Sequence, residues 1–555
     1  MQFRKSKTIA RRLCAMALPL ALVAAAAVAA PASAADPPGA GDGGAVELRR
    51  PIDNENPFFA PACAIGYEEG TSVEACWNAI PEDLRASGLV GLDLVPHDGI
   101  STGQTALGQD KERQYQLLDS WLTEFEAFED HTFAMYQIAW GPNYLVTEER
   151  IEQLYKDHPS FIGVAFTEMH YGNDANTTAG RMARQMVLAH KYGGYTFIDD
   201  CADKGVWDTY TVVWAAANLF PENLIMSTKG TAGGQFLDSN SRKMGWWLSG
   251  RAGNWGYHPD TFAWQATGRG NVYGGYQSST GATAALVYPE AQVGNAVLSA
   301  AMMGATAFTN FELPAYSFAT WGKATPLAKN VVFPIIRQIA DGKIKIPSKA
   351  EVAASVKVGV IEDVRMNSDQ VSAYKVANNN WNQSTGRYHT LAWMPKLLVH
   401  DPDSAAVPVT ITASEWYAAL PTAEARKAWL DENFPEEYTG TLFAERMGNQ
   451  WLTYNSQIDY ESNQYAEIPF QYNSAESMTL TYAGNTLGWI TEEDDQLDVF
   501  LSNYLTDHTY LWEHRERNCQ ILWMGVSDSG WFSVVWGFGL VTGSPSLNSV
   551  PAQTW

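Results

Sequence analysis

Positive charge is scarce in this chain. Against 61 Asp and Glu it carries only 37 Lys and Arg, for a formal net charge of −24 and a pI of about 4.8. A surface of that sign repels phosphate backbones and anionic bilayers, which argues against nucleic acid and membrane surfaces as partners. Cysteine is also rare, with 5 in 555 residues. Neither CxxC nor HExxH occurs, so the common zinc-binding spacings are missing and neither a metal nor another cofactor is expected. Ser527, in GVSDSG, lacks the glycine two residues on that a nucleophile elbow requires. Beyond the first 34 residues no apolar run is long enough to span a bilayer. No internal repeat stands out.

What remains is a large, aromatic, weakly charged chain. Hydrophobic residues make up 46% and charged ones 18%, enough to bury sizeable cores, and the length suggests two to four domains. Trp alone numbers 21, and flat aromatic faces suit both cores and the C–H faces of sugar rings. Residues 1–34 read as a signal peptide. Arg4, Lys5, Lys7, Arg11 and Arg12 precede an apolar stretch from 15 to 30, and Ala32-Ser33-Ala34 resembles a signal-peptidase site. Export to the cell surface or medium is therefore expected, with no membrane attachment after cleavage. Removing five positive charges and no negative ones takes the formal charge from −24 to about −29. An oxidising compartment permits disulfides among Cys63, Cys76, Cys201 and Cys519. Cys63–Cys76 is the most local of the possible pairs and the favoured one.

A Pro/Gly-rich linker covers 35–45, and from 46 to 348 short apolar runs alternate with helical patterns. Strands are predicted at 60–65, 89–94, 132–138, 162–167, 195–199, 223–227, 255–258 and 306–311. Helices are predicted at 72–86, 111–128, 148–158, 179–192, 209–219, 289–303 and 325–339. Eight alternations fit a (β/α)8 TIM barrel, although a doubly wound sheet alternates too. The pattern is weakest at 230–254 and 267–284, which are Gly/Ser/Asn-rich and read as cleft-shaping loops. From 349 to 555 the runs shorten and turn residues multiply. That texture reads as a mainly antiparallel β-sandwich domain with one helix near 422–433.

Carboxylates at strand tips are the candidates for chemistry, because cleaving a glycosidic bond takes one proton-donating and one water-activating carboxyl group. Asp93, Asp98, Glu168, Asp199, Asp200, Asp260 and Glu312 qualify by position. Glu168 ends FIGVAFTE, a run whose continuous apolarity suggests a strand buried on both faces, and at its tip it reads as a proton-donating acid or as a solvated loop glutamate. Glu312 sits among Phe308, Phe311, Tyr316 and Phe318, where lost hydration would favour its protonated form; it reads equally as a barrel-mouth glutamate held by hydrogen bonds. Asp260, in WGYHPDTFAW, reads as a sugar-facing residue or as a helix cap. Asp199 and Asp200 suit either a substrate hydroxyl or a surface pair with Lys204.

In these residues the sequence resembles glycoside hydrolase family 98. The likeness runs through LRRP at 48–51, IPEDL at 80–84, FIGVAFTE at 161–168 and HKYGG at 190–194. It continues through 253–260, FTNFE at 308–312, DGKIKIP at 341–347 and KVGVIED at 357–363. The resemblance implies a (β/α)8 catalytic barrel followed by a β-sandwich, and inverting endo-action on an oligosaccharide or polysaccharide without a cofactor. It places Glu168 at the general acid and Asp260 with Glu312 at the pair that activates water. It implies an endo-β-1,4-galactosidase acting on blood-group-type host glycans. An endo-β-1,4-xylanase of the same family and a non-catalytic glycan-binding protein are the alternatives. Tyr171, Lys229, Trp255, Tyr257, His258 and Trp321 are candidates to line the sugar pocket, several of them equally suited to packing.

Overall fold

The computed structural model describes residues 47–63, 72–96, 110–139, 146–167, 175–201, 211–229, 235–258, 290–311, 319–320, 323–324, 328–362, 395–398, 410–420, 422–433, 437–455, 463–471, 477–492, 496–504, 509–516, 519–526 and 532–537. The leader and linker expected at 1–45 lie outside them. Among the described residues no helix is long and apolar enough to cross a membrane.

Eight parallel strands close into a barrel in chain order. They are β1 (Phe58–Cys63), β2 (Leu92–Leu94), β3 (Ala134–Ala139), β4 (Phe161–Thr167), β5 (Tyr195–Cys201), β6 (Leu224–Lys229), β7 (Asn254–His258) and β8 (Ala307–Phe311). β8 returns to pair with β1, so no barrel edge is left open. Each strand has one face inside the barrel and one against the helices, which is why the strand segments read as unbroken apolar runs. β4 is buried along its whole length. Its Gly163 has φ +152, and a Cβ there would lie 1.9 Å from the Tyr195 carbonyl oxygen. Only glycine fits that irregularity, which shifts the β3–β4 register by one residue.

The LRRP segment closes the N-terminal end of the barrel. The Arg49 guanidinium donates to the carbonyls of Tyr192 (2.9 Å), His158 (2.7 Å) and Phe161 (3.0 Å), and also to that of Tyr155. Arg50 donates to Pro57 (2.8 Å) and Gly88 (3.1 Å). Tyr195, inside the barrel, donates its hydroxyl to the Arg50 carbonyl at 2.8 Å and accepts from the Ile52 amide at 3.0 Å. Burial pushes the Tyr195 phenol well above its ordinary range, so it stays a neutral donor. HKYGG has a structural reason as well. Gly193, at φ +70, ends the helix Ala175–Tyr192 in the left-handed conformation that favours glycine.

The helices mostly begin at capping residues. Ser72, Asp110 and Thr147 accept from backbone amides three residues on. Two expectations are corrected. The helix predicted over 72–86 is two helices, Val73–Asn78 and Glu82–Ala86, because Pro81 cannot donate within a continuous helix. The stretch read as a loop at 230–254 contains a helix, Gln235–Leu248, buried without interruption from 240 to 248. Its Ser, Asn and Gly content looks like turn composition, and packing of Met244, Trp246, Trp247 and Leu248 into the core overrides it. A disulfide joins Cys63, at the end of β1, to Cys76 in the first of the two short helices.

The C-terminal region departs from an all-antiparallel plan. Strand Gly359–Glu362 pairs in parallel with both Lys396–Leu398 and Thr410–Thr412, and helices Ala413–Ala419 and Ala423–Asn433 follow. A small α/β unit thus precedes the sandwich; such short strands do not reveal their pairing direction from sequence. Two five-stranded antiparallel sheets follow. In the second sheet alternate residues serve two cores. Trp451, Ile490, Val499 and Leu501 face the sandwich interior, while Leu452, Tyr454, Leu487, Trp489 and Phe500 join the core that runs into the barrel. This explains why Thr486–Glu492 is wholly buried instead of alternating.

Polar contacts reinforce that junction. The Asn485 side-chain oxygen accepts from the Ala291 amide at 3.0 Å, in the first turn of the barrel helix Glu290–Met302. Gln450 bonds to both the amide (3.1 Å) and the carbonyl (3.0 Å) of Lys345. A core shared in this way predicts one cooperative calorimetric transition for barrel and sandwich together. Asn485 has φ 54, so Asn485→Gly keeps the backbone shape and removes the side-chain carboxamide that accepts from the Ala291 amide. Leaving a buried amide unsatisfied should lower stability by about 1–3 kcal/mol. Two separate transitions, or an unchanged Tm in the variant, would contradict this coupling.

Candidate active site

Strand alternation decides which side chains can face the barrel interior. Phe58, Ala60, Met135, Ala165, Tyr195, Phe197, Ile225 and Ala307 form one apolar cluster inside it. Two residues further along the same strand faces come Gln137, Thr167, Asp199, Ser227 and Thr309, all buried. The interior therefore changes from apolar to polar toward the C-terminal ends of the strands, the end where α/β barrels carry their chemistry. Asp93 lies on the inner face of β2, fully buried, because its neighbours Leu92 and Leu94 belong to the outer core.

The centre of this layer is Asp199. Its Oδ2 accepts from the Thr309 hydroxyl at 3.2 Å and lies 3.6 Å from Nδ1 of His258, and all three side chains are fully buried. The cluster reaches across the barrel from β5 to β7 and β8. A carboxylate out of water is tolerated only with partners of this kind. Asp199 thus turns inward, and a surface pair with Lys204 is not its role. Among the described residues, Oδ1 of Asp199, Oγ of Ser227, Oγ1 of Thr167 and Oε1 of Gln137 have no hydrogen-bond partner. Hydroxyl and carbonyl groups in that setting suit the hydroxyls of a sugar or a water.

The same alternation divides the predicted pocket residues. Lys229, two residues beyond Ser227 in β6, is buried at the inner tip and registers opposite His258. Trp255 and Tyr257 are corrected. They occupy the opposite face of β7 and belong to the core between strands and helices. The Trp255 indole donates to the Met303 carbonyl at 3.2 Å. Their aromatic, sugar-like context in sequence reflects strand-to-helix packing, and period-2 alternation from His258 was the signal that could have separated them. Glu168, Asp260, Glu312, Tyr171 and Trp321 lie outside the described residues. In sequence Glu168 directly follows Thr167, Asp260 is two residues past His258, and Glu312 is three past Thr309. Each candidate carboxylate thus succeeds a residue of the inner polar layer. Trp255→Phe should lower stability by about 1–3 kcal/mol through the lost buried hydrogen bond, while KM for a cleaved glycan stays within about twofold. A raised KM at unchanged Tm would return Trp255 to the sugar cleft.

Residues 46–347 match the profile of Glycosyl hydrolase family 98, and residues 349–529 match the Glycosyl hydrolase family 98 C-terminal domain. The blood-group-substance endo-1,4-beta-galactosidase of Clostridium perfringens is a curated relative, 25% identical over 515 residues. That alignment takes in 84% of this chain and 61% of the relative, so the chain spans about three fifths of its length. Among solved structures, the catalytic module of a family 98 glycoside hydrolase from Streptococcus pneumoniae TIGR4, in complex with the H-disaccharide blood group antigen, has a TM-score of 0.70 and 23% identity over 83% of each chain. The native form and the LewisY pentasaccharide complex of that module each give 0.70 at 22% identity, again over 83% of each chain. These structural likenesses bear on the fold. With two consecutive family matches spanning most of its length, the chain belongs to glycosyl hydrolase family 98.

Proposed function

We propose that the chain is an exported, inverting endo-glycosidase that cleaves internal β-1,4-galactosyl linkages in blood-group-type glycans. The observation that carries this reading is its relation, along 84% of its length, to an enzyme named for that activity. The solved family members whose names record H-disaccharide and LewisY ligands support the same substrate class. The basic, apolar and small-residue segments of 1–34 support export.

In this mechanism Glu168 is the general acid. It holds a proton for the glycosidic oxygen, so that the leaving sugar departs neutral as positive charge builds at the anomeric carbon. Asp260 and Glu312 act as a unit that takes a proton from the attacking water. Two neighbouring carboxylates titrate together, and the first proton they share is held more tightly than either would hold alone. Inversion requires about 6.5–9.5 Å between acid and base, which leaves room for the water on the face opposite the leaving group.

A defined-glycan panel with product analysis tests the substrate, with blood-group A and B, H, LewisY and xylan oligosaccharides as its members. Internal cleavage at galactose in the blood-group members is expected; cleavage confined to xylan would overturn the galactosidase reading. NMR of the first product should show the α-anomer, and a β-anomer appearing first would exclude inversion. Glu168→Gln should lower kcat by about 10²–10⁴-fold with KM little changed. Near-normal turnover of the cleaved glycan by that variant would remove Glu168 from the acid role.

A further inference from the structure

We propose that Asp199 is a positioning residue, which ties β8 through Thr309 and β7 through His258 and so fixes the direction in which both strands lead into Asp260 and Glu312. The inference rests on the reading of those two residues as the water-activating pair. Asp199 itself belongs to β5, and its carboxylate meets strands that it does not neighbour in the sheet. β5 pairs with β4 and β6, whereas β7 and β8 pair with each other; among the described residues Gly256 registers with Ala307 and Tyr257 with Phe308. The Asp199 contacts to His258 and Thr309 lie one residue further along each strand, on the inner face.

Chemistry explains why a carboxylate suits this place. It offers two acceptor oxygens, and here a single oxygen, Oδ2, faces both the Thr309 hydroxyl and the His258 imidazole. Movement of β8 would lengthen the Thr309 hydrogen bond, and movement of β7 would carry the His258 ring away from the carboxylate it faces, in an interior where hydrogen bonds are strong and a carboxylate without neighbours is costly. Packing leaves little slack around the cluster. A Cβ at Gly256 would lie 2.5 Å from the Ser227 hydroxyl and 2.4 Å from the Ala307 carbonyl oxygen. Two carboxylates that must share one water tolerate little error, and a misplacement of about 1 Å is enough to lower turnover by about 10²-fold.

Two substitutions test the role by different routes. Asp199→Asn keeps an acceptor for Thr309 but removes the charge facing His258, and Thr309→Val removes the hydroxyl at constant shape. On a blood-group A oligosaccharide with an internal β-1,4-galactosyl linkage, each should lower kcat by about 10–100-fold with KM within about threefold. Thr309→Ser, which restores the hydroxyl, should recover most of that loss. A purely structural role would lower Tm and the active fraction without a kcat-specific deficit in the folded enzyme or rescue by serine. Asp260→Asn and Glu312→Gln serve as references. If they stay active, the functional reading fails; if they are inactive while Asp199→Asn and Thr309→Val keep wild-type kcat, the positioning role fails. Crystal structures of the wild type and Asp199→Asn give a readout that needs no glycan. The separation of the Asp260 and Glu312 carboxylates should change by about 1 Å in the variant, and an unchanged separation would overturn the proposal.

Discussion

Closure of eight parallel strands imposes one rule on this molecule: every second side chain of a strand points into a space that only the two ends of the barrel open to. The interior is filled with Phe, Tyr, Met and Ile at one end and with Asp, His, Ser, Thr and Gln at the other. The apolar part is a packed core, stoppered beneath by the Arg49 and Arg50 contacts. The polar part is equally buried, so its groups are compatible with folding only because they meet one another or the mouth. Asp199 with Thr309 and His258 is the clearest instance.

A second constraint is that barrel and sandwich are not independent bodies. The strands Gln450–Asn455 and Thr486–Glu492 are buried along their whole length, since one side closes the sandwich and the other packs into the barrel's helix layer. Leu487 sits where a side chain at Gly294 of the helix Glu290–Met302 would go. That helix leads directly into β8. The sandwich therefore packs against, and hydrogen-bonds to, the helix that precedes β8.

Much of this was legible in the sequence. The eight strands fall where apolar runs predicted them, since strands buried on both faces leave an unambiguous signal. The helices between them were legible from period and caps. Gln235–Leu248 was not, because its Ser and Asn residues carry a turn-like propensity that tertiary burial outweighs. The parallel pairing of Gly359–Glu362 was hidden for another reason: strands of three or four residues carry no information about their partners. Among the candidate site residues, Lys229 and His258 fall on the inner face of their strands and Trp255 and Tyr257 on the outer, although all four looked alike as polar or aromatic residues near strand tips.

The sequence by itself determined the barrel, the β-rich second domain and, through ordered short motifs, the family, because apolar periodicity and motif order are properties of the chain alone. Only the tertiary structure decided which strand faces look inward, that Asp199 meets residues 59 and 110 positions away, and that one sheet serves two cores. Contacts of that kind depend on closure and docking. These bring together side chains with no local signature of their partnership, and no window along the chain contains both partners.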